Sequence, residues 1–163
     1  MRTLLTLAFA LALTGCGLLG GAADLTPVEV AGRYSFSEYT VEPTAGSVDS
    51  KDLRREIGED VTLLLTETGE ARIETLRRGV PDETLARGSY TLRGQEIRVQ
   101  FGDVGDLGDR LLMPRSVTFR ASSGRLNAEV FLERVNLEDL DDDYRGITRA
   151  DVNLKIELRE IDV

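Results

Sequence analysis

The amino-acid sequence predicts an all-β protein: an eight-stranded antiparallel up-and-down barrel with one short helix in its first loop. Three observations support this prediction. Apolar and polar residues alternate in eight segments, short glycine-containing turns connect neighbouring segments, and strands joined in this way leave unpaired edges unless the sheet closes. The chain of 163 residues suits one domain with a hydrophobic core.

The first residues have the features of a secretory signal. They begin with Arg2, continue through an apolar stretch too short to cross a bilayer as a helix, and end in LTGC at 13–16. This ending resembles the lipobox of bacterial lipoproteins, and Cys16 is the only cysteine of the chain. The resemblance implies that residues 1–15 are a signal peptide and that Cys16 carries a covalent lipid such as palmitate. No other cofactor is expected.

The segment after the lipobox is small and rich in glycine. Residues 16–30 are therefore expected to form the lipidated cysteine and a flexible tether, and residues 31–163 the barrel domain. Gly17 after the cysteine implies, by the same resemblance, sorting to the outer membrane. The domain would then lie in the periplasm or at the surface of a bacterial cell envelope, with the membrane as its first partner.

Strands are indicated by alternation with a period of two residues. In the last segment Val152, Leu154, Ile156 and Leu158 alternate with polar residues, whereas a helix would scatter these four around its circumference. The eight predicted segments are 32–41, 60–66, 71–77, 86–93, 97–101, 117–120, 126–132 and 152–159.

One stretch favours a helix. In residues 47–60, Asp49 or Ser50 can cap the first turn, Leu53 and Ile57 fall on one face, and Gly58 can end the helix. We expect two or three helical turns inside the first loop.

The connections predict the topology. Strands two and three, four and five, and six and seven are each joined by a short turn that contains glycine, which is typical of hairpins. In an up-and-down barrel these tight turns share one end. The other connections, 42–59, 78–85, 102–114 and 136–150, share the opposite end, which we call the distal end. They contain fifteen acidic and seven basic residues, a net charge of -8.

Three stretches together resemble the small lipocalin-like lipoproteins of bacteria. They are Gly32-Arg33-Tyr34, LLLTETGEARIET at 63–75 and RGSYTLRGQEIRV at 87–99. In that family a Gly-x-Trp-like strand opens the barrel, and Tyr34 stands here in place of the Trp. The resemblance implies a lipocalin-like barrel. The alternative fold is an immunoglobulin-like β-sandwich, although consecutive tight hairpins argue against its Greek-key crossovers.

Composition excludes several classes of function. The net charge of -9, with no basic block, disfavours nucleic acid as a partner. The chain has no histidine, and its one cysteine is predicted to be lipidated, so the usual general bases and thiol nucleophiles are absent. No catalytic residue is predicted, and the protein is not expected to be an enzyme.

One acidic cluster has the first spacings of a calcium-binding loop. Asp139, Asp141 and Asp143 match the first three ligand positions of an EF-hand, but Tyr144 replaces its glycine and Ala150 its bidentate glutamate. These three aspartates are weak candidates for a metal site, and a solvated run of charges is the alternative.

Five aromatic residues fall on or near the predicted inner face of the barrel. They are candidates for lining a cavity, or else for filling the core: Tyr34, Phe36, Tyr90, Phe101 and Phe119. Two hypotheses follow. The first is a lipocalin-like module that binds a small apolar or amphipathic ligand. The second is an envelope interaction protein with a filled core, whose acidic loops dock a basic protein partner or a divalent cation.

Overall fold

A computed structural model describes residues 24–44 and 48–162. The strands are β1 Gly32–Pro43, β2 Lys51–Asp52, β3 Val61–Leu65, β4 Glu70–Arg77, β5 Val80–Arg93, β6 Glu96–Asp103, β7 Ser116–Ser122, β8 Arg125–Val135 and β9 Ala150–Ile161. The helices are α1 Pro27–Val30, α2 Arg54–Ile57 and α3 Gly105–Leu111, and a 3-10 turn covers Asp142–Tyr144.

The prediction of an eight-stranded antiparallel barrel is confirmed. Consecutive long strands pair with one another from β3 to β9, and β1 pairs with both β3 and β9, which closes the sheet. The short strand β2 is an addition, because it pairs only with the distal part of β1 through Thr40–Asp52 and Val41–Lys51. The sandwich alternative is wrong, because the strands follow one another around a single closed sheet.

Apolar side chains face the interior of the barrel and polar side chains face outward, as the alternation predicts. On β9, Val152, Leu154, Ile156 and Leu158 are at most 2% exposed. Residues between them on the same strand are only partly buried, so each strand presents one apolar and one polar face.

A β-bulge shifts the inward face of β1. The pairing of β1 with β9 changes register between Phe36 and Glu38. Tyr34 therefore faces inward before the bulge, and Tyr39 and Val41 face inward after it. The bulge places the two halves of one long strand against different parts of the core.

The helix in the first loop is present but shorter than the sequence predicts. It has one turn, α2, instead of two or three. The preceding residues are extended because β2 pairs with β1 and the Leu53 amide donates to the Tyr39 carbonyl oxygen at 2.8 Å. The helix ends at Gly58, as predicted, where φ is 98°.

The predicted loop at 78–85 is wrong. Strands β4 and β5 continue outward as a hairpin and are joined by Arg78 and Gly79 alone. Both residues have positive φ, 55° and 79°, as a two-residue turn of this hairpin type requires. Charged residues that looked like loop residues therefore belong to an exposed hairpin.

The predicted connection at 102–114 contains the helix α3. Leu107 and Leu111, at i and i+4, are buried on one face of this helix. The helix is amphipathic, and its apolar face packs on the distal end of the barrel.

Candidate functional site

Both ends of the barrel are closed by packed segments. At the end with the tight turns, which we call the base, the Leu25 amide donates to the Gly94 carbonyl oxygen at 3.1 Å, and Val30 of α1 is 2% exposed. At the distal end, residues from α2, α3 and the β8–β9 connection are buried together: Leu53, Ile57, Val104, Leu107, Leu111, Leu137 and Tyr144. The distal end of the barrel is thus covered by a layer of side chains.

The ordering of α1 corrects a predicted boundary. Of the predicted tether at 16–30, residues 24–30 are described, and they are folded against the base. The Thr26 amide and hydroxyl both donate to Glu29 at 2.8 Å, which stabilises the helix start and lowers the pKa of that carboxyl. The folded domain therefore begins before residue 31.

Each of the four tyrosines binds a backbone carbonyl through its hydroxyl. At the base, Tyr34 donates to Val30 at 2.9 Å and Tyr90 to Thr66 at 2.7 Å. At the distal end, Tyr39 donates to Leu111 at 2.9 Å and Tyr144 to Asp49 at 3.0 Å. These bonds connect strands or loops to the segments that close the barrel, and they satisfy hydroxyls that burial would otherwise leave without a partner.

Burial also affects the acidity of these phenols. Burial is the main cause of the raised pKa of Tyr34, which is about 12. Burial raises the pKa of Tyr39 further. Both hydroxyls stay protonated at ordinary pH and remain donors. Neither is a general base in this environment.

The five aromatic candidates lie in the core or at its edge. Tyr34, Tyr90, Phe101 and Phe119 are 3 to 6% exposed and belong to the main apolar cluster. Phe36 is half-buried beside the bulge and packs edge-on against Tyr39, with ring centroids 6.0 Å apart. This arrangement favours filling of the interior over lining of a cavity.

A lysine from a distant part of the chain pairs with two of the three acidic candidates at 139–143, and the spacing did not predict this contact. Lys51 of β2 pairs with Asp141 and lies 3.5 Å from Asp143, while Asp139 accepts a hydrogen bond from Asn136. The three aspartates therefore do not share one set of ligand positions. Among residues 24–44 and 48–162, no group of three or more acidic, histidine or cysteine side chains is placed to hold a metal ion.

The pair of Lys51 and Asp141 joins the first loop to the last. The hydrogen bond from Lys51 is the main cause that lowers the pKa of Asp141, and the same bond raises the pKa of Lys51. Because the folded pKa of Asp141 lies below its ordinary value, this pair stabilises the fold above about pH 3.9, the usual aspartate value. The contribution is lost as the pH falls through the lowered pKa.

We expect Asp141→Asn to loosen the β8–β9 connection at neutral pH and to remove its acid dependence below about pH 4. Asparagine can still accept the bond from the Asp143 amide, 2.9 Å long in the native protein, so the substitution mainly removes the charge. Hydrogen exchange of the Tyr144 and Ile147 amides, corrected for intrinsic rates, measures the effect. Asp142→Asn is the control, because Asp142 and its partner Arg145 are 94% and 79% exposed. Equal protection in both variants would refute the role of the pair.

A groove on the distal end combines an apolar floor with acidic walls. Its volume is about 230 Å³, and it lies between α2, α3 and the β8–β9 connection. The floor contains Ile57, Leu107, Leu111 and Leu140, and the walls contain Glu56, Asp106, Asp139 and Arg110. Sequence reasoning missed this groove, although the i, i+4 spacing of Leu107 and Leu111 was a detectable signal.

The connections at the distal end, with the bounds that the structure gives them, have a smaller acidic excess than the predicted ones. The connections that the structure defines there, 44–60, 78–79, 104–115 and 136–149, contain twelve acidic and eight basic residues, a net charge of -4. The excess is smaller because Glu42, Asp82, Glu83 and Asp103 lie in strands, while the connections gain Asp60 and Arg115.

The predicted signal peptide and the predicted lipidation site, Cys16, lie outside the described residues. No helix within the described part of the chain is long and apolar enough to span a membrane. Comparison with models of protein families finds no match, and comparison with curated proteins finds none either.

Proposed function

We propose that this protein is a lipid-anchored, non-enzymatic interaction protein of a bacterial cell envelope, with its distal groove as the docking site for a basic protein partner. Cys16 is the anchor, and the outer membrane is the proposed location. This is the second of the two hypotheses that the sequence supports.

The observation that carries the proposal is the filled barrel with two closed ends. A lipocalin-like module needs an interior cavity and an open mouth for its ligand. Here aromatic and aliphatic side chains occupy the interior, and the distal layer covers the mouth. This packing supports a function at the outer surface and argues against an enclosed apolar ligand.

The orientation of the domain supports the same proposal. Leu25 is fixed to the base, so a tether from Cys16 reaches the base and the distal groove points away from the membrane. A partner approaching from the periplasm or the cell exterior meets the groove first. Its basic side chains would pair with Glu56, Asp106 and Asp139, and an apolar side chain would cover the leucines of the floor.

The proposal has two experimental arms. In the first, the full-length chain expressed in a bacterium is expected in the membrane fraction and labelled with palmitate, whereas Cys16→Ser is expected in the soluble fraction without label. Equal membrane recovery of both forms would refute the anchor.

In the second arm, the domain is titrated with a short peptide of leucine and lysine that has helical periodicity, at low and high salt, while amide NMR shifts are followed. Binding should move the signals of Leu107 and Leu140. The triple variant Glu56→Gln, Asp106→Asn, Asp139→Asn should bind at least about tenfold more weakly.

The matched control removes the same charge from the base. It combines Asp24→Asn, Glu67→Gln and Asp162→Asn, all at exposed positions. Equal weakening by both triple variants would mean that only net charge attracts the peptide, and the docking site would be rejected.

A further inference from the structure

The barrel wall is incomplete between β7 and β8. These strands form only three pairs, Arg120–Asn127, Ala121–Leu126 and Ser122–Arg125. Yet β7 begins at Ser116, and β8 continues to Val135 while remaining paired with β9 on its other side. Within the described residues, β8 beyond Asn127 is therefore paired with a neighbouring strand on the β9 side only.

The free backbone groups can be assigned from the alternation of antiparallel hydrogen bonds. The Ala121 amide donates to the Gln95 carbonyl oxygen at 3.0 Å, so Ala121 turns its backbone groups toward β6. Its neighbours at even positions, including Thr118, turn theirs toward β8. Because Asn127 is paired with Arg120, the same alternation turns Glu129 and Phe131 toward β7. Backbone amide and carbonyl groups of both strands thus face the gap, and no strand within the described residues pairs with them there.

A groove of about 520 Å³ lies where this gap begins and crosses the neighbouring strands. It is lined by Thr118, Phe119 and Arg120 of β7 and by Asn127, Ala128 and Glu129 of β8, and it extends across β9 to Glu38 of β1. The charged residues of the groove are four glutamates, Arg120 and Lys155, so the groove has an excess of two negative charges.

The β8 edge also exposes apolar surface. Val130 and Leu132 are half-buried on the inner side, and Phe131 is 54% exposed on the outer side. Natural proteins usually cover such an edge or protect it with charge, because it can pair with another strand. Here Glu129 lies beside the apolar residues and opposite Lys155 of β9, whose ammonium group pairs with Glu42.

We propose that the β8 edge from Glu129 to Glu133 accepts an extended segment of a partner protein as an added β-strand. The segment alternates apolar residues with lysine or arginine. Its apolar side chains would contact Val130 and Leu132, and a basic side chain would pair with Glu129 on the outer side. This site is separate from the distal groove and does not depend on the proposed function.

The probe is an acetylated and amidated peptide in which valine and lysine alternate. We expect it to bind the domain, to shift the amide signals of Thr118, Glu129 and Phe131, and to slow hydrogen exchange at Glu129 and Phe131. A peptide of the same composition in valine pairs and lysine pairs keeps the charge but loses the alternation, and it should bind at least about tenfold more weakly.

Two changes test the backbone bonds directly. Methylation of alternate peptide nitrogens removes donors while leaving charge and side chains intact, and it should weaken binding at least about tenfold. On the protein, Phe131→Pro removes one donor that faces the gap, whereas Phe131→Ala keeps it and is the control. If Phe131→Pro does not fold, the methylated peptide decides the question.

Three results would overturn the proposal. The first is no binding of the alternating peptide at about 1 mM, the weak limit for a specific contact. The second is equal binding of the alternating, paired and methylated peptides, because that would show adsorption by charge alone. The third is dimerisation of the free domain with slowed exchange at Glu129 and Phe131, because a second copy would then be the occupant.

Discussion

Replacing Gly88 by alanine is expected to destabilise the barrel by about 3 kcal/mol, the upper part of the range for overpacking. A Cβ atom at this position would lie 2.1 Å from the Gln100 carbonyl oxygen and 2.8 Å from the Phe101 Cα atom. Both atoms belong to the backbone of the paired strand β6, so no side-chain rotation relieves the clash. The strands would have to separate where the pairing of β5 with β6 already shifts register, between Arg87 and Gly88.

The control for this prediction is Gly102→Ala, on the neighbouring strand. Its added Cβ atom would come no closer than 3.8 Å to the nearest atom, the Arg87 carbonyl oxygen, so a change within about 0.5 kcal/mol is expected. Denaturant unfolding followed by far-UV circular dichroism measures both variants. If the two alanine variants unfold at the same denaturant concentration, close strand approach is not the role of Gly88.

Replacing Glu74 by alanine should cost about 3 to 5 kcal/mol, the range measured when one partner of a buried ion pair is removed. Glu74 Oε2 lies 3.1 Å from the Arg33 guanidinium, and the two side chains are only 6% and 12% exposed. The same guanidinium nitrogen donates to the Thr62 hydroxyl at 2.9 Å. The substitution would leave the Arg33 charge largely away from water with only a neutral acceptor.

The double variant Arg33→Met, Glu74→Leu separates this explanation from a simple loss of packing. It removes both charges while keeping apolar volume, and it should recover most of the stability lost by Glu74→Ala. An exposed pair provides the comparison: Asp142→Ala should cost no more than about 1 kcal/mol. A double variant that is no more stable than Glu74→Ala would show that burial of an unpaired charge is not the cause.

The strands were predictable because each has one buried and one solvated face. Alternation in the segment at 152–159 identified β9, and the same rule located the seven other long strands. The short glycine turns then predicted the order of the strands, because two strands joined by a tight turn pair with each other. These signals are local, so a single sequence contains them.

The candidate sites were less predictable because they depend on contacts between distant residues. The spacing of Asp139, Asp141 and Asp143 suggested a metal loop, but Lys51, far away in the chain, pairs with two of the three. Phe36 was predicted at the inner face with the other aromatics, but it lies half-buried beside a bulge. Bulges and long-range ion pairs leave no periodic signal in the strand that contains them.

By itself, the sequence determined the class of fold, the order of the strands and the inward face of most of them. The period of apolar residues and the chemistry of the turns are properties of adjacent residues. Only the tertiary structure decided that the barrel is filled, that both ends are closed and that β7 and β8 separate beyond Asn127. Those features arise from side-chain volumes, tyrosine hydrogen bonds and strand register summed around a closed sheet, where each contact joins residues that are distant in sequence.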